Sequence, residues 1–145
     1  MSQEFDDCLK RRKITEFERA KGLVSKELDE AEQDLETAKA SVGHASHKWA
    51  TIQAYYSMFH SARALIYSKG YRERSHYCLI AAIRHLFVGK GLIDVRLIEA
   101  LQLGKTLREN ADYYGEFSED ATKQMIENAE GFLKTAKGLI GVQST

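Results

Sequence analysis

The segment YYSMFHSARALIYSKGYRERSHY, residues 55–77, ends in a cationic loop that runs directly into a histidine. Arg72, Arg74 and His76 are residue types that suit phosphodiester cleavage by a 2′-hydroxyl, which needs a base for the hydroxyl and cations for the charge growing on phosphorus. Ser75 reads as a helix N-cap and His76 as the first turn, because an apolar run from Cys78 to Phe87, interrupted by Arg84 and His85, follows at once. The positive end of a helix and the nearby guanidinium groups disfavour a second proton on the ring. These features predict a neutral imidazole, with His76 as the catalytic base and Arg72 as the catalytic anion clamp. The competing reading is plain: His76 occupies a first turn and the arginines are solvated loop charges.

Further candidates lie on either side. Tyr56, His60, Arg63 and Tyr67 fall at steps of four, three and four, so they share one helix face and could offer a polar, aromatic strip to a base or a phosphate. The same spacing also fits a buried hydrogen-bond network or a dimer contact. Arg108 and Asp112 stand four apart, which fits an intrahelical ion pair worth ~0.3–0.5 kcal/mol. They also border the stripe Leu103, Leu107, Ala111 and Tyr114, from which a partly buried Arg108 could turn toward the Arg72/His76 loop and complete one anionic pocket. The pair His44-x-x-His47 has ligand spacing but no neighbouring cysteine and no third ligand, so no metal site and no cofactor are expected. No glycine-rich phosphate loop and no nucleophile elbow is present, which argues against an ordinary nucleotide hydrolase or an acyl-transfer enzyme.

The elements that must carry these residues are helices. Proline is absent, and Gly43, Gly70, Gly89, Gly91 and Gly115 each follow a segment with helical apolar spacing. A first short helix is expected over about 3–12. Thr15 with Glu18 reads as a capping box for a second helix reaching about 41, with Val24, Leu28, Ala31, Leu35 and Ala38 as its stripe. The third, about 46–69, is apolar over most of its circumference and reads as a central helix of about 36 Å. Helices over about 76–88 and 94–112 follow, and Ser118 starts a sixth whose stripe is Met125, Ala129, Phe132, Ala136 and Leu139. The expected fold is all-α, an up-and-down antiparallel bundle of five to six helices.

A chain of 145 residues suits one domain, with residues 1–14 as a loosely attached N-terminal helix. Lysine plus arginine and aspartate plus glutamate number 21 each, so bulk charge gives no argument for a nucleic-acid scaffold. Charge is instead segregated: Glu27, Asp29, Glu30, Glu32, Asp34 and Glu36 crowd one helix, expected to leave a face for solvent or a basic partner, while Lys10–Lys13 and Lys69–Arg74 are basic. Cys8 and Cys78 lie far apart without metal-like spacing, and nothing resembles a signal peptide, which fits a reducing cytoplasm. Apolar runs are too short for a membrane span. The nearly all-round apolar central helix predicts an uncovered patch and hence a homodimer.

Four pieces of the chain together resemble the HEPN domain family, named for higher eukaryotes and prokaryotes nucleotide-binding. These are Tyr55-Tyr56 with Met58-Phe59-His60, then Ala62-Arg63-Ala64-Leu65, the Lys69-Gly70-Tyr71 turn into Ser75-His76, and Arg108 with Asp112-Tyr113; the resemblance spans roughly residues 17–140. It implies an antiparallel bundle, frequent homodimers, and a neighbouring gene for a minimal nucleotidyltransferase, the pair acting as toxin and antitoxin. Many toxic members resemble metal-independent ribonucleases with an arginine, four to six residues, then a histidine. This chain departs from that pattern, since three residues separate Arg72 from His76. The resemblance thus implies a toxin-like subunit acting on RNA or binding nucleotide, with His76 and Arg72 catalytic and Arg74, Arg108, Asp112, Tyr113, Tyr56, His60 and Arg63 binding. Its alternative is a non-catalytic adaptor that holds a nucleotide or the nucleotidyltransferase partner.

Overall fold

Four helices start on a side chain that accepts a backbone N–H: Ser2 from Phe5, Ser75 from Cys78, Asp94 from Arg96 and Ser118 from Ala121. Each cap satisfies a donor that the first turn would otherwise leave open. In the computed structural model, which describes residues 2–141, they open α1 (Gln3–Lys10), α4 (His76–Ile83), α5 (Val95–Tyr114) and α6 (Glu119–Ile140). Between them lie α2 (Val24–Gly43) and α3 (His47–Ser68). Gly115 and Gly141, at φ 64° and 84°, end α5 and α6 in the left-handed region that glycine enters without penalty. The protein is an all-α bundle of six helices.

The central position falls to α3, where 13 of 22 residues are buried. It packs on α2, α6, α5 and α4 at once, through small side chains that let the backbones approach. Ser57 Oγ donates to the Ala31 carbonyl of α2 at 2.8 Å, and the Thr51 and Thr122 hydroxyls meet at 2.7 Å between α3 and α6. Gly104 brings α5 against α3, since a Cβ there would sit 2.7 Å from Met58 Cε and 3.5 Å from Tyr55 Cδ1. The expectation that α3 keeps an uncovered apolar side is therefore corrected. Its neighbours cover it, and the exposed apolar groups sit elsewhere: Leu103, Tyr113 and Tyr114 of α5, with Trp49 and Phe117.

Two further expectations change. Thr15 caps no helix. It lies in a short strand, β1 (Ile14–Glu16), which pairs antiparallel with β2 (Tyr71–Glu73) in the register Ile14 to Glu73 and Thr15 to Arg72. The ladder continues on both sides through Phe17 N to Gly70 O and Arg74 N to Lys13 O, each 2.8 Å, so α2 begins only at Val24 after a 3₁₀ turn over Ala20–Leu23. Nor is the N-terminal segment loose. Phe5, Cys8 and Ile14 are buried, and Cys8 is joined to Cys78 of α4 in a disulfide that closes a separation of 70 residues. The two cysteines read as separate from their sequence distance are thus neighbours in space. In the chain-entropy account, a loop of this size is worth about 4 kcal/mol. The fourth helix also leaves α geometry early, widening to a π turn over Arg84–Val88. Among the described residues, no helix is long and apolar enough to cross a membrane.

Candidate functional site

The Ser75 cap fixes His76 in the first turn of α4, with its ring against α3. His76 Nδ1 lies 3.1 Å from the Tyr55 hydroxyl, and Nε2 is buried with no hydrogen-bond partner. Burial, followed by the Lys105 ammonium, holds the His76 pKa below the ordinary imidazole value, and Glu109 opposes them weakly. The neutral ring is thus as expected, but its cause is desolvation and a lysine of α5 instead of the loop arginines. Burial pushes the Tyr55 phenol up to about 12, so it keeps its proton. Two tautomers follow. Either the Tyr55 hydroxyl donates to Nδ1 and Nε2 carries the proton, or Nδ1–H donates to the Tyr55 oxygen and Nε2 is left as an acceptor.

Beside the ring runs a groove of about 280 Å³ lined by His76, Tyr77, Ile80, Arg84, Gln102 and Lys105, with Glu4 contributed by α1. Its cations are Arg84, which donates to Gln102 Oε1 at 3.3 Å, and Lys105, which pairs with Glu109 at 2.8 Å. Arg72 is not among the lining residues. As part of β2 it alternates with buried Glu73, and its guanidinium stands 4.9 Å from the Phe17 ring centroid. Arg74 is exposed on the same strand-side loop. The expected Arg72–His76 clamp is therefore not assembled, because a strand and not a free loop precedes α4.

Arg108 resolves between its two readings. Its Nη2 donates to the Tyr56 hydroxyl at 2.9 Å and pairs with Asp112 at 3.3 Å, while the guanidinium lies over the Tyr56 and Tyr113 rings at 5.4 and 5.6 Å. It ties α5 to α3 and does not reach toward Arg72. Tyr55 and Tyr56 are in ring contact at 5.3 Å, so this clamp adjoins the His76 pair.

The expected strip on α3 divides. Tyr56 belongs to the Arg108 clamp, whereas His60 and Arg63 join a network of acids: His60 Nδ1 to Glu27 at 2.5 Å, His60 Nε2 to Asp34 at 3.7 Å, Arg63 to both Glu73 oxygens at 3.2 Å and to Glu27 at 3.7 Å. Arg63 also lies over the Phe59 and Tyr67 rings. Glu27 and Glu73 are buried, so part of the acidic series on α2 faces inward, and Glu32 pairs with Lys137 of α6. That corrects the picture of a wholly free acidic face.

Sequence reasoning missed Tyr55 as the partner of His76, and Lys105, Arg84 and Gln102 as its neighbours. The available signal was spacing: Lys105 stands three before Arg108 and four before Glu109, on the helix side that carries both.

The HEPN domain model matches residues 24–139. Similar curated proteins include "Putative toxin MJ0605" of Methanocaldococcus jannaschii, 29% identical over 126 residues, covering 81% of this chain and 94% of that protein. The same organism's "Putative toxin MJ0142" is 29% identical over 133 residues, covering 90% of each. A "UPF0332 protein" of Thermotoga maritima is 30% identical over 112 residues, covering 76% of this chain and 85% of its own length.

Proposed function

The chain belongs to the HEPN domain family, and from that premise and the surroundings of His76 we propose that it is the toxin-like subunit of a HEPN/nucleotidyltransferase pair that acts on RNA. The observation that carries this reading is a neutral, half-buried histidine with one ring nitrogen unpartnered, beside a groove holding Arg84 and Lys105. In this reading His76 takes the proton of a ribose 2′-hydroxyl. The freed oxygen attacks phosphorus, the bond to the 5′ oxygen breaks, and the imidazolium returns its proton to that oxygen. The products are a 2′,3′-cyclic phosphate and a 5′-hydroxyl. Lys105 and Arg84 balance the charge on the phosphoryl oxygens, and general-base help of this kind supplies ~10²–10⁴ in rate. A homodimer would use the exposed apolar groups of α5, Leu103 and Tyr114, together with Phe117.

One observation favours a second reading. Nε2 is enclosed as well as unpartnered, so the ring must turn or α5 must give way before it meets a substrate. A protein that never opens there is the adaptor, holding a nucleotide or the nucleotidyltransferase without cleaving anything. Overproduction of the chain with and without the product of the adjacent gene separates the two. Growth arrest with fragmented RNA, relieved by that product, supports the toxin reading; normal growth with intact RNA leaves the adaptor.

A further inference from the structure

Arg84 lines two grooves at once: the one beside His76, and a second of about 420 Å³ formed with Ser2, His85, Gly89 and Lys90. Ser2 is the cap of α1 and Glu4 stands in its first turn, and they belong to different grooves, so the first turn of α1 is what separates the two. Beneath it lies one line of basic groups, from Lys105 and His76 through Arg84 to His85 and Lys90. His85 is covered outright, since Phe5 stacks on its ring at 4.5 Å. Glu4 adds a carboxylate among the cations of the His76 groove, which opposes any anionic ligand there.

We propose that α1 is a lid strapped across a continuous anion-binding track, that the Cys8–Cys78 disulfide is the strap, and that a dithiol reductant opens the track to a single-stranded RNA. The inference rests on the RNA reading above for the identity of the ligand, but not for the lid. An eight-residue helix is too short to persist alone in water, so α1 depends on what holds it: the disulfide, the Phe5 contacts with His85 and Tyr71, and the chain into β1. The strap is fastened two residues beyond His76, in the same turn of α4. The HEPN match begins at residue 24, so the lid lies outside the matched segment while every basic group of the track lies within it. The chemical step is a two-electron exchange. One thiolate of the reductant attacks a sulfur of the disulfide and its second thiol resolves the mixed disulfide, so Cys8 and Cys78 leave as thiols with two protons and the reductant leaves as its cyclic disulfide.

The test uses the full chain, air-oxidised and dithiothreitol-reduced, with two labelled probes, a single-stranded oligoribonucleotide and inorganic polyphosphate, and hydrogen exchange followed over residues 3–10. Reduction is expected to speed exchange across α1 and to tighten probe binding. The slope of log affinity against log salt should steepen by about 1.4 for the RNA, ~0.7 for each of the two uncovered cations Arg84 and Lys90. Cys8→Ala should bind like the reduced form without reductant, and Lys90→Ala should remove half of the gain in slope. If polyphosphate responds to reduction and RNA binds in neither state, the lid stands and the RNA reading fails. The proposal is overturned if the air-oxidised protein titrates two free thiols, if α1 exchange is the same in both states, or if neither probe distinguishes them.

Discussion

His60 and His76 both sit against α3, about as exposed as each other in kind, yet their surroundings differ in one respect that decides what each can do. His60 is saturated: Glu27 and Asp34 face its two nitrogens, and Arg63, Glu73 and Glu27 close the network around it. His76 has a neutral phenol on Nδ1 and nothing on Nε2. A saturated cluster has spent its hydrogen-bonding capacity on joining α2, α3 and β2. An unsaturated one keeps capacity for a ligand, at the cost of a buried polar atom without a partner. Residue type alone did not separate them, since both clusters combine histidine with cations, acids and aromatic rings.

The largest effect that can break this contrast is on the saturated side. Replacing Glu73 with alanine leaves Arg63 with only the longer contact to Glu27, and is expected to lower the unfolding free energy by ~2–4 kcal/mol in urea titration. A loss under half that size would mean the network is ornamental and the contrast is false. On the unsaturated side, Tyr55→Phe keeps the ring that packs against α3's neighbours and removes only the hydroxyl on His76. It should cost about 1 kcal/mol of stability and, by freeing the ring's orientation, lower any RNA cleavage roughly tenfold. Cleavage unchanged by Tyr55→Phe would show that the hydroxyl does not set the tautomer that matters.

The smallest effect is a pH dependence. The His76 pKa is lower in the folded chain than the ordinary value of 6.5, so on acidification the unfolded chain takes up the proton first. The stability that comes from keeping this ring neutral is fully present above about pH 6.5 and is lost as pH falls below it. The difference in unfolding free energy between wild type and His76→Asn should therefore be constant above that value and drift in favour of the variant below it. A difference that stays flat through the acid range contradicts a depressed pKa.

Most of the helical framework was legible because it depends on local rules. The Ser75 and Ser118 caps and the stripes of α2 and α6 act within one or two turns, and the structure places them as the spacing predicts. What was not legible depends on partners distant in sequence. Neither three-residue strand has a pattern of its own; β1 exists because β2 is there to pair with, and that pairing is what turns Arg72 toward Phe17 and away from His76. The disulfide likewise joins residues that only the packing of α1 on α4 brings together. Lys105 looks like any lysine in an i, i+4 ion pair, and nothing local says that a histidine from another helix will be buried beside it. His76 was legible as a site residue, but as an exposed one; its burial means that substitution also costs stability, about 1–2 kcal/mol for the Tyr55 hydroxyl left unpaired.

The central claim is that spare capacity at His76, and not the presence of a histidine among charges, marks the working site. Its most direct test is one assay on three proteins, wild type, His60→Ala and His76→Ala, each incubated with labelled RNA under reductant and each followed through urea unfolding. The account predicts that His60→Ala loses stability but cleaves at the wild-type rate per folded molecule, whereas His76→Ala stays folded and loses ~10²–10⁴ in rate. Equal cleavage by His76→Ala and wild type, or loss of cleavage in His60→Ala alone, would contradict it.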